Sequence, residues 1–171
     1  MTEMLYVVDE EDKVLRSESR KIVHASTLWH RGIHIILKNP EGQILLQLRS
    51  PDKDKYPDRY DISVSEHVVF GESYEEAAGR GLLEELGISV PLTEMAHFRM
   101  RYGPSDFMVN KLYTAKYDGS FKTSGEVAGM LFLDEKHLLN LIDDQDKMFT
   151  PWGKELLNYY FGRPNKLILL A

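Results

Sequence analysis

The sequence predicts an α/β protein in which a mixed sheet carries helices on both faces. Two observations predict this class. Strand-like segments fill most of the chain up to residue 133, with one helical segment among them, and two further helical segments follow. The chain has 171 residues, of which 43% are hydrophobic and 28% are charged, which suits one domain with a sizeable core. We therefore predict a single domain over residues 1–171.

The N-terminal segment predicts a hairpin. Residues 4–8 and 13–16 are strand-like, and a short polar turn separates them. Residues 17–30 have irregular or weakly helical character. We therefore treat residues 1–30 as an N-terminal extension that carries a hairpin.

Three histidines lie close together after this hairpin. His24, His30 and His34 raise the hypothesis of a metal site, since imidazole is a common metal ligand. Their spacing fits no zinc pattern, and His34 lies inside a strand-like run. We favour the interpretation that they are polar or packed side chains.

The central part of the chain predicts three more strands. Residues 33–38 and 43–48 are strand-like and are joined by Asn-Pro-Glu-Gly, a turn sequence, which together predict a hairpin. The polar segment 50–58 is rich in turn-forming residues and predicts a loop. Residues 60–65 alternate in the manner of a short strand.

A helix with clear end signals is predicted next. Gly71 lies in the turn before it, and Ser73 is suited to cap its first turn. The helix is predicted to run to about Leu86. Gly87 then ends it as a residue in the left-handed conformation.

This helix is predicted to have a charged face and a buried face. Residues three or four apart are neighbours on a helix, so Arg80, Glu84 and Glu85 are expected on or near one side. The opposite, buried side is expected to contain five apolar residues: Ala77, Ala78, Leu82, Leu83 and Leu86.

The C-terminal half predicts three strands followed by two helices. The strands are expected over 94–102, 107–117 and 126–133, and the helices over 134–142 and 150–161. The apolar tail after residue 165 is expected either to pack as an edge strand or to cover a partner surface.

Composition excludes several classes of protein. The net charge of −6 argues against a nucleic acid polymer as a main partner, because phosphate neutralisation needs a basic surface. The absence of cysteine excludes disulfides, cysteine–zinc sites and a cysteine nucleophile. No segment has the length of a membrane span, and the N-terminus lacks the features of a signal peptide. We expect a cytoplasmic protein with no membrane partner.

Residues 66–88 resemble the Nudix box, whose pattern is G-x5-E-x7-R-E-U-x-E-E-x-G-U with U a bulky aliphatic residue. The spacing of the pattern is kept along the whole segment. Two positions depart: Glu66 replaces the opening glycine, and Gly81 replaces the glutamate after the arginine. The positions that match are Glu72, Arg80, Leu82, Glu84, Glu85, Gly87 and Ile88.

The resemblance implies the α/β/α sandwich of Nudix hydrolases and a site for Mg²⁺ or Mn²⁺. It implies that Glu84 and Glu85 are catalytic metal ligands, and that the catalytic-site residue Arg80 pairs with Glu72 to brace the loop against the helix. Gly71 and Gly87 are structural in this comparison. The implied reaction is metal-assisted water attack on a nucleoside diphosphate linked to another group. Related folds often dimerise, so a homodimer stays open.

Four further residues are candidates for the same site. We hypothesise that Glu66 partly replaces the ligand missing at Gly81, and the alternative is a side chain that points to solvent. Glu126 is a further candidate metal ligand, or else a surface residue. Arg49 and His67 are candidates to bind substrate phosphates, and Arg49 is alternatively part of a surface salt bridge.

Two other functions remain as alternatives. The first is a Nudix fold without catalysis that binds a ligand or a protein, which Gly81 favours because glycine offers no carboxylate. The second is an isomerase, because the Leu46–Ser50 segment and the histidines His24, His30 and His67 resemble type I isopentenyl-diphosphate isomerase. That chemistry needs a cysteine where this chain has Ser65, and glutamates near residues 109–111, where this chain has none. We therefore favour it least.

Overall fold

The computed structural model describes residues 2–144 and 148–171. It contains ten strands, four α-helices and one π-helical turn in this part of the chain. In chain order these are β1 (Met4–Val8), β2 (Val14–Ser19), α1 (Arg20–Ala25), β3 (His30–Lys38), β4 (Ile44–Arg49), β5 (Tyr60–Asp61), β6 (Val64–His67), α2 (Tyr74–Gly81), the π-helical turn (Leu82–Leu86), β7 (Thr93–Arg101), β8 (Phe107–Lys116), β9 (Val127–Leu133), α3 (Glu135–Asp144), α4 (Pro151–Tyr160) and β10 (Ile168–Leu169).

Strand β3 is the centre of the sheet. It pairs in parallel with β8 from His30 to Lys38, and antiparallel with β1, β4 and β6. The longest path through the sheet runs β10-β7-β8-β3-β1-β2, while β4 also pairs with β5 and β9. The predicted mixed sheet is confirmed, and so is the edge strand in the C-terminal tail, because β10 pairs with β7.

The two faces of the sheet hold separate hydrophobic cores. Successive side chains of a strand point to opposite faces, so Ile33, Ile35 and Leu37 join one core and Ile36 joins the other. Helix α2 covers the first core, while α3 and α4 cover the second. The predicted arrangement with helices on both faces is confirmed. None of the helices in the described part of the chain has the length and apolar character that a membrane span requires.

The predicted N-terminal hairpin is present and packs tightly on the rest of the protein. Leu5 and Val7 of β1 form a small core with Val23 of α1. At the hairpin turn, Asp12 accepts a hydrogen bond of 2.7 Å from Arg31 Nε and lies 3.0 Å from His97 Nε2. The extension is therefore held by both apolar packing and charge.

The helix predicted between Ser73 and Gly87 differs from the prediction in its last turn. Ser73 caps the first turn, and Gly87 is left-handed with φ of 67°, as predicted. The α-helix ends at Gly81, however, and the chain continues as a π-helical turn. A π-helical turn is wider than an α-helical one, so it rotates the following side chains out of the α-helical register. Two glycines before this turn, at positions 79 and 81, weaken the preference for regular helix.

This turn corrects the predicted faces of the helix. Leu83, which we expected to be buried, is 61% exposed, and Glu85, which we expected on the exposed side, is 6% exposed. Glu85 therefore points into the protein rather than out to solvent.

The strand predicted over 60–65 is divided into two short strands. Between them, side chains replace the regular ladder of backbone hydrogen bonds. Ser63 Oγ accepts from Leu37 N at 2.8 Å and donates to Leu45 O at 2.7 Å, and Ile62 N donates to Asp61 Oδ1 at 2.7 Å. This irregular segment leads directly into β6, which contains Glu66.

Candidate active site

Arg80 braces the loop before α2 against the helix. Its Nε donates to Glu72 Oε1 at 2.7 Å and its Nη2 donates to Glu72 Oε2 at 3.1 Å. The same Nη2 donates to the backbone oxygen of His67 at 2.9 Å, so β6 is held as well. Burial opposes ionisation of Glu72, but its hydrogen bonds with Arg80 and with Val69 N lower the pKa of its carboxyl overall. The loop, β6 and α2 thus form one rigid frame.

Glu85 lies inside this frame. Its carboxyl accepts a short hydrogen bond of 2.5 Å from Gln47 Nε2, and Gln47 is itself anchored on Ser63 O at 2.8 Å. Burial raises the pKa of Glu85 well above its usual value, and the neighbouring charge of Glu66 raises it further. Burial also raises the pKa of Glu66. Two carboxyl groups are therefore held together in a poorly hydrated place.

A family model of the NUDIX domain matches residues 28–153 of the chain, which include this frame and both carboxyl groups. The chain belongs to the Nudix family.

Proteins similar to this chain carry names with different functions. The chain is 44% identical over 92 residues to a prenyl-diphosphate phosphatase of Methanosarcina mazei, a match covering 54% of each protein. It is 31% identical over 157 residues to an isopentenyl-diphosphate Delta-isomerase of Serratia proteamaculans, covering 89% of this chain and 88% of the isomerase. A Deinococcus radiodurans protein of known crystal structure superposes with a TM-score of 0.71 at 30% identity, covering 84% of this chain and 90% of that one.

The other two predicted metal ligands lie at the rim of the Nudix site. The side chain of Glu84 is 58% exposed, and its Oε2 accepts from Arg80 Nη1 at 3.3 Å. The side chain of Glu126 is 57% exposed and pairs with Lys53 Nζ at 2.5 Å. Both carboxylates are more exposed than the half-buried Glu66 and the buried Glu85.

Arg49 is engaged by the loop that follows it. Its Nε donates to Tyr56 O at 3.1 Å and its Nη2 to Lys55 O at 3.0 Å. Its Nη1 lies 3.5 Å from Asp61 Oδ2, a carboxylate that is 1% exposed. These contacts hold the loop at residues 50–58 against Arg49. A guanidinium has five N–H groups, so Arg49 keeps donors for a phosphate beside these contacts.

His67 lies in a cluster with two other histidines. Its ring centroid is 5.2 Å from that of His24 and 5.3 Å from that of His30, and one nitrogen of each ring lies within 4.8 Å of the others. His24 Nδ1 is bonded to Asp106 Oδ1 and His30 Nδ1 to Leu28 O, each at 2.9 Å. Outer acceptors of this kind fix metal-binding histidines, so the cluster could hold a transition-metal ion.

Two of these three rings are uncharged. Burial lowers the pKa of His30 to about 4 and lowers that of His67 well below its usual value, so both are neutral at pH 7. His34 lies outside this cluster. His34 is packed, as we favoured, and lies within 2.9 Å of Ser65 Oγ and 2.8 Å of Tyr102 Oη.

Two residues at the Nudix site were missed by sequence reasoning. Gln47 and Asp61 are both buried polar residues. Gln47 stands between Leu46 and Leu48 in an otherwise apolar strand, and this interruption is a signal that could have found it. Asp61 gives no such signal, because its partners Arg49, Thr150 and Trp152 come from distant parts of the chain.

Proposed function

We propose that this Nudix protein hydrolyses the diphosphate linkage of a small molecule with the help of Mg²⁺ or Mn²⁺. The observation that carries the proposal is the pair formed by the half-buried carboxyl group of Glu66 and the buried one of Glu85, inside the frame made by Arg80 and Glu72. Carboxylate oxygens are the ligands these hard cations prefer. The donor set therefore fits the metal that the family uses.

The residues have separate roles in this proposal. Glu85 and Glu84 would hold the metal, Glu85 from inside the frame and Glu84 from the rim. When bound, the metal would lower the pKa of a water molecule and polarise the phosphoryl oxygens. Arg80 keeps Glu72, β6 and α2 in place. Arg49 binds a substrate phosphate through guanidinium N–H groups that its present contacts do not use, and neutral His67 offers it a hydrogen bond.

Two classes of substrate are candidates. Nucleoside diphosphate derivatives are what the box resemblance implies, while the name of the Methanosarcina relative favours prenyl diphosphates. Phe98 and Tyr113 are buried in the two cores and have no free face for a nucleobase. The ring of Trp152 is contacted by Tyr56 and Tyr102. The name of that relative is therefore what favours the prenyl class.

The test is a hydrolysis assay with purified protein and both substrate classes. Prenyl diphosphates of several chain lengths and a set of nucleoside diphosphate derivatives are incubated with Mg²⁺ or Mn²⁺, and phosphate release is measured. We expect metal-dependent release that Glu85→Gln reduces by orders of magnitude. No release from either class by folded, metal-binding protein would contradict the proposal and support a Nudix fold that only binds its ligand.

The isomerase alternative is disfavoured by the environment of Ser65. Its hydroxyl is hydrogen-bonded within the protein, 2.9 Å from His34 Nδ1 and 3.3 Å from Asp61 Oδ1. A serine hydroxyl is a much weaker acid than the thiol that this chemistry requires. We expect no isomerisation of isopentenyl diphosphate, and an assay for its allylic isomer checks this in the same samples.

A further inference from the structure

We infer that Glu66 supplies a metal-binding carboxylate from β6 in place of the glutamate that the Nudix box has at position 81, and that Gly81 leaves the space for it. The inference rests on the proposed metal site. The two departures from the box pattern are thus linked: the carboxylate moves from α2 to β6, and the glycine moves from β6 to α2.

The packing around Gly81 supports this exchange. A Cβ atom at position 81 would lie 3.0 Å from Val64 Cγ1, 3.1 Å from Glu66 Cγ and 3.6 Å from Glu66 Cβ. Two of these three atoms belong to Glu66. The side chain of Glu66 therefore lies against the backbone of Gly81, and a glutamate at 81 would compete with it for the same space.

Gly79 is an internal comparison for Gly81. It lies two residues earlier on the same helix, is exposed, and no atom would lie within 4 Å of a Cβ added there. Glycine at position 79 is therefore not required by packing. The close contact with Glu66 is specific to position 81, which is the position where the box pattern has its carboxylate.

The charges around Glu66 support a role as ligand. Its side chain is only 20% exposed, which contradicts the alternative that it points to solvent. Its nearest cation is Arg80 Nη1, 4.0 Å from Oε2, and that guanidinium is already paired with Glu72 at 2.7 Å. Glu66 and Glu85 thus bring two carboxyl groups together with little neutralising charge. A divalent cation would neutralise both.

The test compares Mn²⁺ binding and thermal stability in four proteins: wild type, Glu66→Gln, Glu66→Gly and the exchange variant Glu66→Gly/Gly81→Glu. Mn²⁺ binding is followed by electron paramagnetic resonance, with and without inorganic pyrophosphate. Glu66→Gln keeps the shape of the side chain against Gly81 and removes only its charge. We expect it to bind Mn²⁺ about tenfold or more weakly. Its melting temperature without metal checks that the variant is folded.

The exchange variant sharpens the test. Glu66→Gly alone should lose Mn²⁺ affinity, and adding Gly81→Glu should restore it, since a carboxylate returns to the site from the helix. The inference is overturned if Glu66→Gln binds Mn²⁺ as wild type does, or if wild type binds none even with pyrophosphate. It is also overturned if Glu66→Gln melts lower than wild type without metal and keeps its affinity, which is what a purely structural role predicts.

These outcomes separate the inference from the proposed function. Mn²⁺ binding that depends on Glu66, without hydrolysis of any substrate, supports the inference and contradicts the hydrolase. Hydrolysis by wild type with unchanged Mn²⁺ affinity in Glu66→Gln supports the hydrolase and contradicts the inference.

Discussion

Two nearly buried carboxylates of this protein have opposite surroundings. The side chain of Asp12 is 10% exposed, and it contacts Arg31, His97 and the hydroxyl of Tyr74. Glu85 is 6% exposed, but it contacts the amide of Gln47 and faces the carboxyl of Glu66. Asp12 is thus saturated by the protein itself, whereas Glu85 forms no ion pair with a cation among the described residues. The difference teaches that a buried carboxylate is structural when its partners are present, and is a candidate ligand when they are absent.

The largest expected effect is at Asp12. We predict that Asp12→Asn lowers the free energy of unfolding by about 2–3 kcal/mol, because it leaves Arg31 without its charged partner in a poorly hydrated place. Asparagine also tolerates the left-handed backbone at this position, where φ is 70°, so the loss reports the charge rather than strain. Urea unfolding measures the change. A variant as stable as wild type would show that this carboxylate is not structural.

Replacing the carboxyl of Glu85 by an amide is expected to raise the free energy of unfolding, whereas the same replacement at Asp12 lowers it. Its pKa is raised first by burial, so the native protein binds a proton that the unfolded chain releases. The free energy of unfolding of the metal-free protein should therefore fall as pH rises through that raised pKa. Glu85→Gln should remove this dependence and be more stable than wild type at the upper end of the range. Urea unfolding at a series of pH values tests it, and a wild-type stability that rises with pH there would refute the assignment.

The smallest expected effect compares two glycines of α2. Gly79→Ala should stabilise the protein by about 0.8–1 kcal/mol, the difference in helix propensity at an exposed position. Gly81→Ala should gain nothing or lose stability, because its methyl group would meet Val64 and Glu66. Equal gains at both positions would show that the contact between Gly81 and Glu66 imposes no constraint.

Most of the fold was predictable because its signals are local. The strand patterns, the cap at Ser73 and the left-handed Gly87 follow from residues adjacent in sequence, and the structure contains them. The π-helical turn was not predictable, since the preference between two helical forms depends on what the turn packs against. The same turn accounts for the error at Glu85, which became buried when the register changed.

The candidate site was predictable only in part, for a related reason. The pairing of Glu72 with Arg80 follows from the spacing of the box, and the structure contains it. The joining of His67 to His24 and His30 depends on how distant segments meet, which chain spacing does not show. The contact between Glu66 and Gly81 likewise joins a strand to a helix. In the sequence, Glu66 and Gly81 are two separate departures from the box pattern. Only the folded structure shows that they are in contact.

The central claim is that Glu85 and the carboxyl groups beside it hold a divalent metal. The most direct measurement is a Mn²⁺ titration, followed by electron paramagnetic resonance, of wild type, Glu85→Gln and Asp12→Asn. We predict sub-millimolar binding by wild type, loss of that binding in Glu85→Gln, and unchanged binding in folded Asp12→Asn. Equal binding by wild type and Glu85→Gln, or no binding by any of the three proteins, would contradict the claim.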